Sequence, residues 1–397
     1  MGFLGYRMVT KPYIVLRTSY IVTGLLFFCL WLSSLAFAQG QITRLTIFSN
    51  NLGLVEGVKM IALKKGINEV TFDPVSKEII LDSIYAKAEK CEFREQKYSS
   101  DSFLSWKVNS EEEGETLLRV VYLTSGLSWE LNYLLEINKE NTFMKIESWA
   151  TVENKTGMDF FQTPLILTRQ LPLSVEESIS PEHFSDLSSP ASSSFLANIS
   201  YPIPRFTFKD KEKKRILLFS KENVPITKVY LFDGEKYGEE VREELWFTNE
   251  EEKGLGIPLP EGGVYIYQTG SEERMIFLGG VHLPEISPQE VGKIYLGSAK
   301  NMKGERIQIS MSSSESYEDE DGHKIILNEY SYRIILYNKR QVPTTVKVVE
   351  HFYEELVSLE SEPSPYVQGK DFAIYQVEIP PQEKKEIEYT AITKTSR

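Results

Sequence analysis

The chain has 397 residues, with 57 acidic against 44 basic side chains and a net charge of −13 at pH 7. That balance excludes a nucleic-acid binder and electrostatic docking on anionic lipid, and the ordinary apolar and charged fractions exclude general disorder. Four histidines and two cysteines exclude zinc-finger arrays and disulfide scaffolds. The first 19 residues are basic and free of acid, Tyr20–Leu35 is apolar, and Ala36-Phe37-Ala38 is an A-x-A site. This is the order of a secretory signal, residues 1–38, cleaved between Ala38 and Gln39. Its strongly apolar part is about a dozen residues, short of the roughly 20 that a spanning helix needs. A membrane anchor is therefore the lesser reading, and no membrane span is expected after cleavage. Cys29 leaves with the signal. Cys91 remains as a lone thiol and reads as a small packing residue rather than a nucleophile.

After residue 38 no stretch has a long helical period. Two-residue alternation of β-branched and aromatic residues recurs instead, bounded by Gly, Pro, Asn or Asp, which is the strand signal. It predicts strands at Ile42–Phe48, Leu117–Leu123, Trp129–Ile137, Met144–Val152, Val264–Tyr267, Ile325–Tyr337, Thr345–Phe352 and Phe372–Ile379. One-sided alternation, as in Met144–Val152, predicts mainly antiparallel sheets. Residues 39–110 read as an N-terminal β domain. Residues 111–289 read as a central β-sandwich, interrupted at 171–210 by a Ser/Pro-rich segment expected to be flexible. Seven strand candidates in residues 290–397 predict an immunoglobulin-like sandwich with Ile334, Leu336, Val346, Val348 and Tyr389 in its core. No short repeat of the solenoid or propeller kind is visible.

Three stretches stand out. Tyr122–Tyr133 reads Y-x-x-x-G-x-x-W-x-x-x-Y through Gly126 and Trp129, Asn154–Asp159 reads N-x-T-G-x-D through Gly157, and Leu259–Tyr267 reads L-P-x-G-x-V-x-x-Y through Pro260 and Gly262, just after Gly256. Together they resemble a secreted bacterial family known as domain of unknown function 4139, over nearly the whole mature chain. The resemblance implies an all-β exported protein and brings no accepted catalytic residues. Relatives often carry a longer N-terminal region with a helical insertion, which is missing here. Physically, Gly126, Trp129, Tyr133, Asn154, Gly157, Asp159, Gly256, Pro260 and Gly262 read as architecture: turns that need positive φ, polar residues that bond nearby backbone, and aromatics that fill the space between sheets.

No pattern selects a reaction. His183, His282, His323 and His351 lack metal-ligand spacing. G-x-S-x-G is absent, and Gly254-Leu255-Gly256 has neither the third glycine of a dinucleotide loop nor a following helix. Glu318–His323 fits an EF-hand at only part of its positions and reads as a solvated hairpin turn at Asp321-Gly322, with Ca²⁺ binding left open. The pairs Tyr265/Tyr267 and Tyr330/Tyr332 share strand faces, as cross-strand packing or as a ligand surface.

The sequence therefore predicts an all-β chain of two or three antiparallel β-sandwich domains, the last immunoglobulin-like, after a cleaved signal peptide. The functional expectation is an exported, periplasmic or extracellular module of the cell envelope. It would act without catalysis or cofactor as an interaction or scaffold module, with an envelope protein or a glycan as partner. The alternatives are an envelope hydrolase of glycan or peptide, using carboxylates from separate strands, and a carbohydrate-binding module.

Overall fold

The computed structural model describes residues 40–99, 102–169, 199–270, 272, 274–318 and 324–396. The expected signal and its cleavage point, residues 170–198 of the Ser/Pro-rich segment, and the turn at 319–323 lie outside the described residues, and with them His183 and His323. Among the described residues the chain is all-β, with a single turn of α-helix at Gly234–Tyr237. It divides into two compact units. One draws on residues within Met1–Glu130 and Thr151–Ile216, the other on Leu131–Ala150 and Leu217–Arg397.

Strands are numbered along the chain. The first unit holds a sheet in the order β11 (Ser200–Phe208), β10 (Phe160–Thr168), β1 (Gln41–Phe48), β2 (Leu52–Leu63), β7 (Gly114–Ser125), β4 (Tyr85–Lys87). It also holds a smaller sheet in the order β3 (Gly66–Phe72), β6 (Phe103–Ser110), β5 (Cys91–Ser99). Three further sheets carry most of their residues in the second unit. One is ordered β12 (Lys213–Pro225), β9 (Phe143–Asn154), β8 (Leu127–Ile137), β15 (Gly262–Thr269), β16 (Met275–Leu283). The next is β17 (Val291–Ser298), β14 (Val241–Thr248), β13 (Thr227–Phe232), β20 (Thr344–His351), β23 (Phe372–Ile379), β22 (Val367–Gln368). The last is β18 (Met302–Glu318), β19 (Lys324–Asn338), β24 (Lys384–Ser396), β21 (Glu355–Glu362). Alternation decides which side is buried: in β8 every odd residue from Leu127 to Ile137 is buried, and in β9 every even residue from Met144 to Asn154.

One arrangement occurs three times. Strands β1-β2-β7, β8-β9-β12 and β13-β14-β17 each lie side by side, and the first strand of each trio takes a parallel neighbour from later in the chain: β10, β15 and β20. That neighbour brings its own antiparallel partner, β11, β16 or β23. The sheets are thus mainly antiparallel with one parallel seam in each of three.

Strands β18-β19-β24 form a fourth side-by-side trio, and a buried asparagine stands at the end of the second strand in β8-β9-β12, β13-β14-β17 and β18-β19-β24. Asn154, Asn249 and Asn338 are at most 1% exposed. The side-chain amide of Asn154 donates to the carbonyls of Met158, Phe208 and Lys209, that of Asn249 to Ile257, Ile286 and Ser287, and that of Asn338 to Val342, Ile379 and Pro380. Each side-chain oxygen accepts a nearby backbone N–H, from Thr156, Ile257 and Arg340 respectively. The returning chain makes the same turn each time. In Lys209–Glu212, Ser287–Glu290 and Pro380–Glu383 the glutamate N–H donates to the carbonyl three residues earlier. The third residue of each turn, Lys211, Gln289 or Gln382, has a φ of 61°, 74° or 60°. The next strand, β12, β17 or β24, follows at once.

The expected domain limits differ from this layout. Strands β1 and β2 pair with β10 and β7, so residues 39–110 do not own their sheet. The Ser/Pro-rich segment does not run to 210, because Ser200–Phe208 is strand β11. Tyr201 there meets Trp129 edge-on at 6.0 Å and Phe208 is fully buried, while Pro202 and Pro204 are tolerated because β11 is an edge strand. The strands expected after residue 290 are present, but β13 and β14, from before it, complete one of their sheets. Phe232 and Val241 enter the same core as Ile334, Leu336, Val346, Val348 and Tyr389. Gly304 lies so close to Phe232 that a Cβ would sit 2.2 Å from its ring.

Two outcomes follow. Replacing Asn154, Asn249 or Asn338 by Asp removes the donor and leaves buried carbonyls unpaired, so each variant is expected to lose at least about 1–3 kcal/mol, seen as a lower urea midpoint. The fragment Glu290–Arg397 lacks Phe232 and Val241, each contributing about 1.5–3 kcal/mol when buried. Its thermal melt by circular dichroism should therefore be broad rather than cooperative.

Candidate ligand-binding cavity

In β20 the buried positions are Thr344, Val346, Val348 and Glu350, so the alternation sets a carboxylate where the apolar face would continue. Glu350 is 1% exposed. Its Oε2 accepts from Arg306 Nε on β18 at 2.8 Å and from the Tyr389 hydroxyl on β24, and Arg306 Nη2 donates to that hydroxyl at 3.2 Å. Its Oε1 has no hydrogen-bond partner. Burial pushes the Glu350 carboxyl above its ordinary value, against the opposing pull of Arg306 and Tyr389. Burial, with the neighbouring Glu350 charge, likewise raises the Tyr389 phenol. The Arg306 guanidinium lies 3.8 Å from the Tyr332 ring centroid, Tyr332 stacks on Tyr389 at 5.5 Å, and Phe352 meets Tyr389 edge-on. Next along the chain, His351 Nε2 lies 2.8 Å from Asp233 Oδ2. The other oxygen of Asp233 accepts from Lys236 N–H and caps the helical turn Gly234–Tyr237.

These groups border a cavity of about 270 Å³, whose outer walls include Glu235, Tyr330, Tyr353 and Glu354. Asn328 Nδ2 donates to both oxygens of Glu354 at 3.1 and 2.9 Å, and the Thr393 hydroxyl donates as well. Burial pulls this carboxyl up, but the hydrogen bonds from Thr393, Asn328 and Thr395 outweigh it and hold Glu354 below its ordinary value. Arg306 is matched by Glu350 and His351 faces Asp233. Among the described residues Glu235 and Glu354 have no basic partner. A cavity of aromatic walls and two unmatched carboxylates suits a cation. The carboxyl with the raised pKa, Glu350, is sealed behind Arg306 and Tyr389 and does not reach a substrate.

The nine motif residues lie elsewhere. Gly126, at φ 83°, links β7 to β8, and a Cβ there would come 2.9 Å from the Lys155 carbonyl. Trp129 is buried and donates its indole N–H to the Thr168 carbonyl. Tyr133 donates its hydroxyl to the carbonyl of Pro260 at 2.7 Å. Asn154 is the first corner asparagine. Gly157 N–H donates to Asp210 Oδ1, and Asp159 Oδ1 accepts from Asp210 N–H. Gly256 sits against the backbone of Glu251, and Gly262 opens β15 against the Leu131 carbonyl. None of the nine borders the cavity. Of the two tyrosine pairs, Tyr330 and Tyr332 border it, whereas Tyr265 is exposed and Tyr267 meets Phe277. His282 is exposed, 3.8 Å from Glu261. Cys91 is half-buried, and burial raises its thiol pKa, which disfavours the thiolate. Among the described residues no three His, Cys, Asp or Glu side chains are placed to hold a metal ion. Sequence reasoning missed Arg306, Glu350, Asp233 and Glu354. The available signal was Glu350 itself, a charge on the buried parity of an otherwise apolar strand.

Arg306→Met leaves Glu350 buried without its cation and is expected to cost about 3–5 kcal/mol in urea unfolding at pH 7. Adding Glu350→Gln should restore most of it. A group with a raised folded pKa stabilises below its ordinary value and loses that contribution as pH rises. The Arg306→Met deficit should therefore shrink on acidification.

No curated protein matches the chain. The family model described as a domain of unknown function, DUF4139, matches residues 118–395. The match begins within β7 and takes in β8 through β24, including the cavity, while the strands before Leu118 lie outside it. Covering more than half of the sequence, it establishes that the chain belongs to the DUF4139 family.

Proposed function

We propose that the protein is an exported module of the cell envelope that binds a basic segment of a partner protein and catalyses no reaction. Export rests on the basic, apolar and A-x-A order of residues 1–38. The observation that carries the binding reading is Glu354, held ionised by three neighbouring donors at the wall of a cavity of aromatic rings. At about 270 Å³ the cavity is smaller than the roughly 300–1,000 Å³ of small-molecule sites, which gives room for one long side chain. Arg306 seated on Tyr332 is an example, within the same cavity, of a guanidinium held on a tyrosine face. The acidic surplus of the chain favours encounter with a basic partner.

Fluorescence anisotropy with a labelled peptide of alternating Lys, Arg and Gly tests this. Glu354→Gln should weaken binding at least tenfold, while Glu113→Gln, in an exposed loop, leaves it unchanged. Glu354 sits below its ordinary value of 4.5, so its ionised form persists through neutral and mildly acidic pH. Binding should fall only as pH drops below 4.5. Equal affinity of the Glu354→Gln protein would overturn the reading.

A further inference from the structure

A second site lies on the opposite face of the sheet from the core that Phe232, Val241, Val346 and Val348 line. Arg242, Glu244 and Trp246 are alternate residues of β14 and so share this face. The rings of Tyr237 and Tyr295 clamp the Arg242 guanidinium at 4.1 and 4.0 Å. Arg242 Nε donates to Glu244 Oε1 at 2.9 Å, and the Trp246 indole N–H donates to Glu244 Oε2 at 2.8 Å. Glu244 is only 4% exposed. The chain of contacts fixes the Trp246 ring in one orientation. Two ammonium groups then lie on that ring: Lys293 Nζ at 4.6 Å and Lys347 Nζ at 4.4 Å from its centroid.

Neither lysine has a carboxylate partner among the described residues, in a chain where acids outnumber bases. Burial and the nearby Lys293 both lower the Lys347 pKa, as expected for two like charges held together without an anion. Beside them is a cavity of about 300 Å³ whose walls include Trp246 and Lys347, the neutral polar side chains Thr227, Thr345 and Gln376 and the ring of Tyr366, together with Lys228, which is paired with Glu243, and the apolar Val367 and Ile374.

We propose that this face binds a saccharide that carries a carboxylate, with the acid group held by Lys293 and Lys347 and the hydroxyls by Thr227, Thr345 and Gln376. The pairing of cations with neutral donors and aromatic rings selects this class. A bare oxyanion leaves the three neutral side chains unused, and a neutral sugar leaves the two lysines unmatched. The site is separate from the cavity at Glu354 and stands whether or not that cavity takes a basic segment.

Calorimetric titration of the full chain with an oligomer of glucuronic acid, a neutral glucose oligomer and inorganic phosphate tests the proposal. The acidic oligomer should bind at least tenfold tighter than either of the others, and the affinity should fall as salt rises. The Lys293→Ala/Lys347→Ala double variant should lose at least tenfold in affinity for it. Its melting temperature should hold or rise, because the substitution removes a repulsion; a structural role for the lysines would lower it. Equal binding of the neutral oligomer, equal binding of phosphate, or undiminished affinity of the double variant would each overturn the proposal.

Discussion

A primary amide taken out of water at the end of a strand is costly unless both its N–H groups and its oxygen are paired. Asn154, Asn249 and Asn338 meet that condition by bonding two segments at once: the loop that directly follows the asparagine and the chain at, or just past, the end of the strand that returns much later. The amide thereby sets where the returning chain turns. That turn opens directly into β12, β17 or β24, so it also sets where the pairs β8-β9, β13-β14 and β18-β19 each receive a third strand. Aspartate has the shape but no donor, and a longer amide displaces the carbonyls it must meet. The corner accepts few side chains, and the strand order of the repeat rests on it.

Because each parallel seam joins a strand to one from the following repeat, the repeats interlock instead of standing as beads. Strand β20 lies against β13, and Phe232 fills the core beneath Gly304. The alternation that reveals β9, β19 or β23 is local and is legible in the sequence. Which strand a strand pairs with is not, since the pairing of β1 with β10 or β13 with β20 joins residues more than a hundred positions apart. A trace of the repeat was nevertheless present. Pro288-Gln289-Glu290 and Pro381-Gln382-Glu383 are the same tripeptide at the same turn, whereas Lys209–Glu212 retains only the glutamate and hides the third copy.

The cavity was less legible for a related reason. Tyr330 and Tyr332 share a face by their spacing alone, and their pairing was visible as such. What makes them walls of a cavity is Arg306 from another strand and the Phe352–Glu354 segment after β20. Asp233 and His351 are 118 residues apart in sequence, and no spacing rule joins them. The motif residues, by contrast, were conspicuous because they meet local demands: the positive φ of Gly126 and Gly157, and the buried rings of Trp129 and Tyr133. The conspicuous motif residues are not the ones that border the cavity at Glu354.

The two sites carry opposite signs on one acidic chain, and the physics of charge explains why both can persist. Net charge acts over distances that physiological salt screens within about 8 Å. It shapes encounter and solubility, while the sign at a site is decided by the pairing inside it. At the cavity, Glu350 cancels Arg306, and the carboxylates left over are Glu235 and Glu354. On the far face of the neighbouring sheet, Glu244 is consumed by Arg242 and the Trp246 indole. Glu244, on the same face of the sheet, is thus withdrawn from the lysines. Lys293 and Lys347 are left with an aromatic ring, which attracts a cation but cannot neutralise it. The sign of each site is set by which internal pairs are completed, and the charge left over is what a ligand of opposite sign would complete.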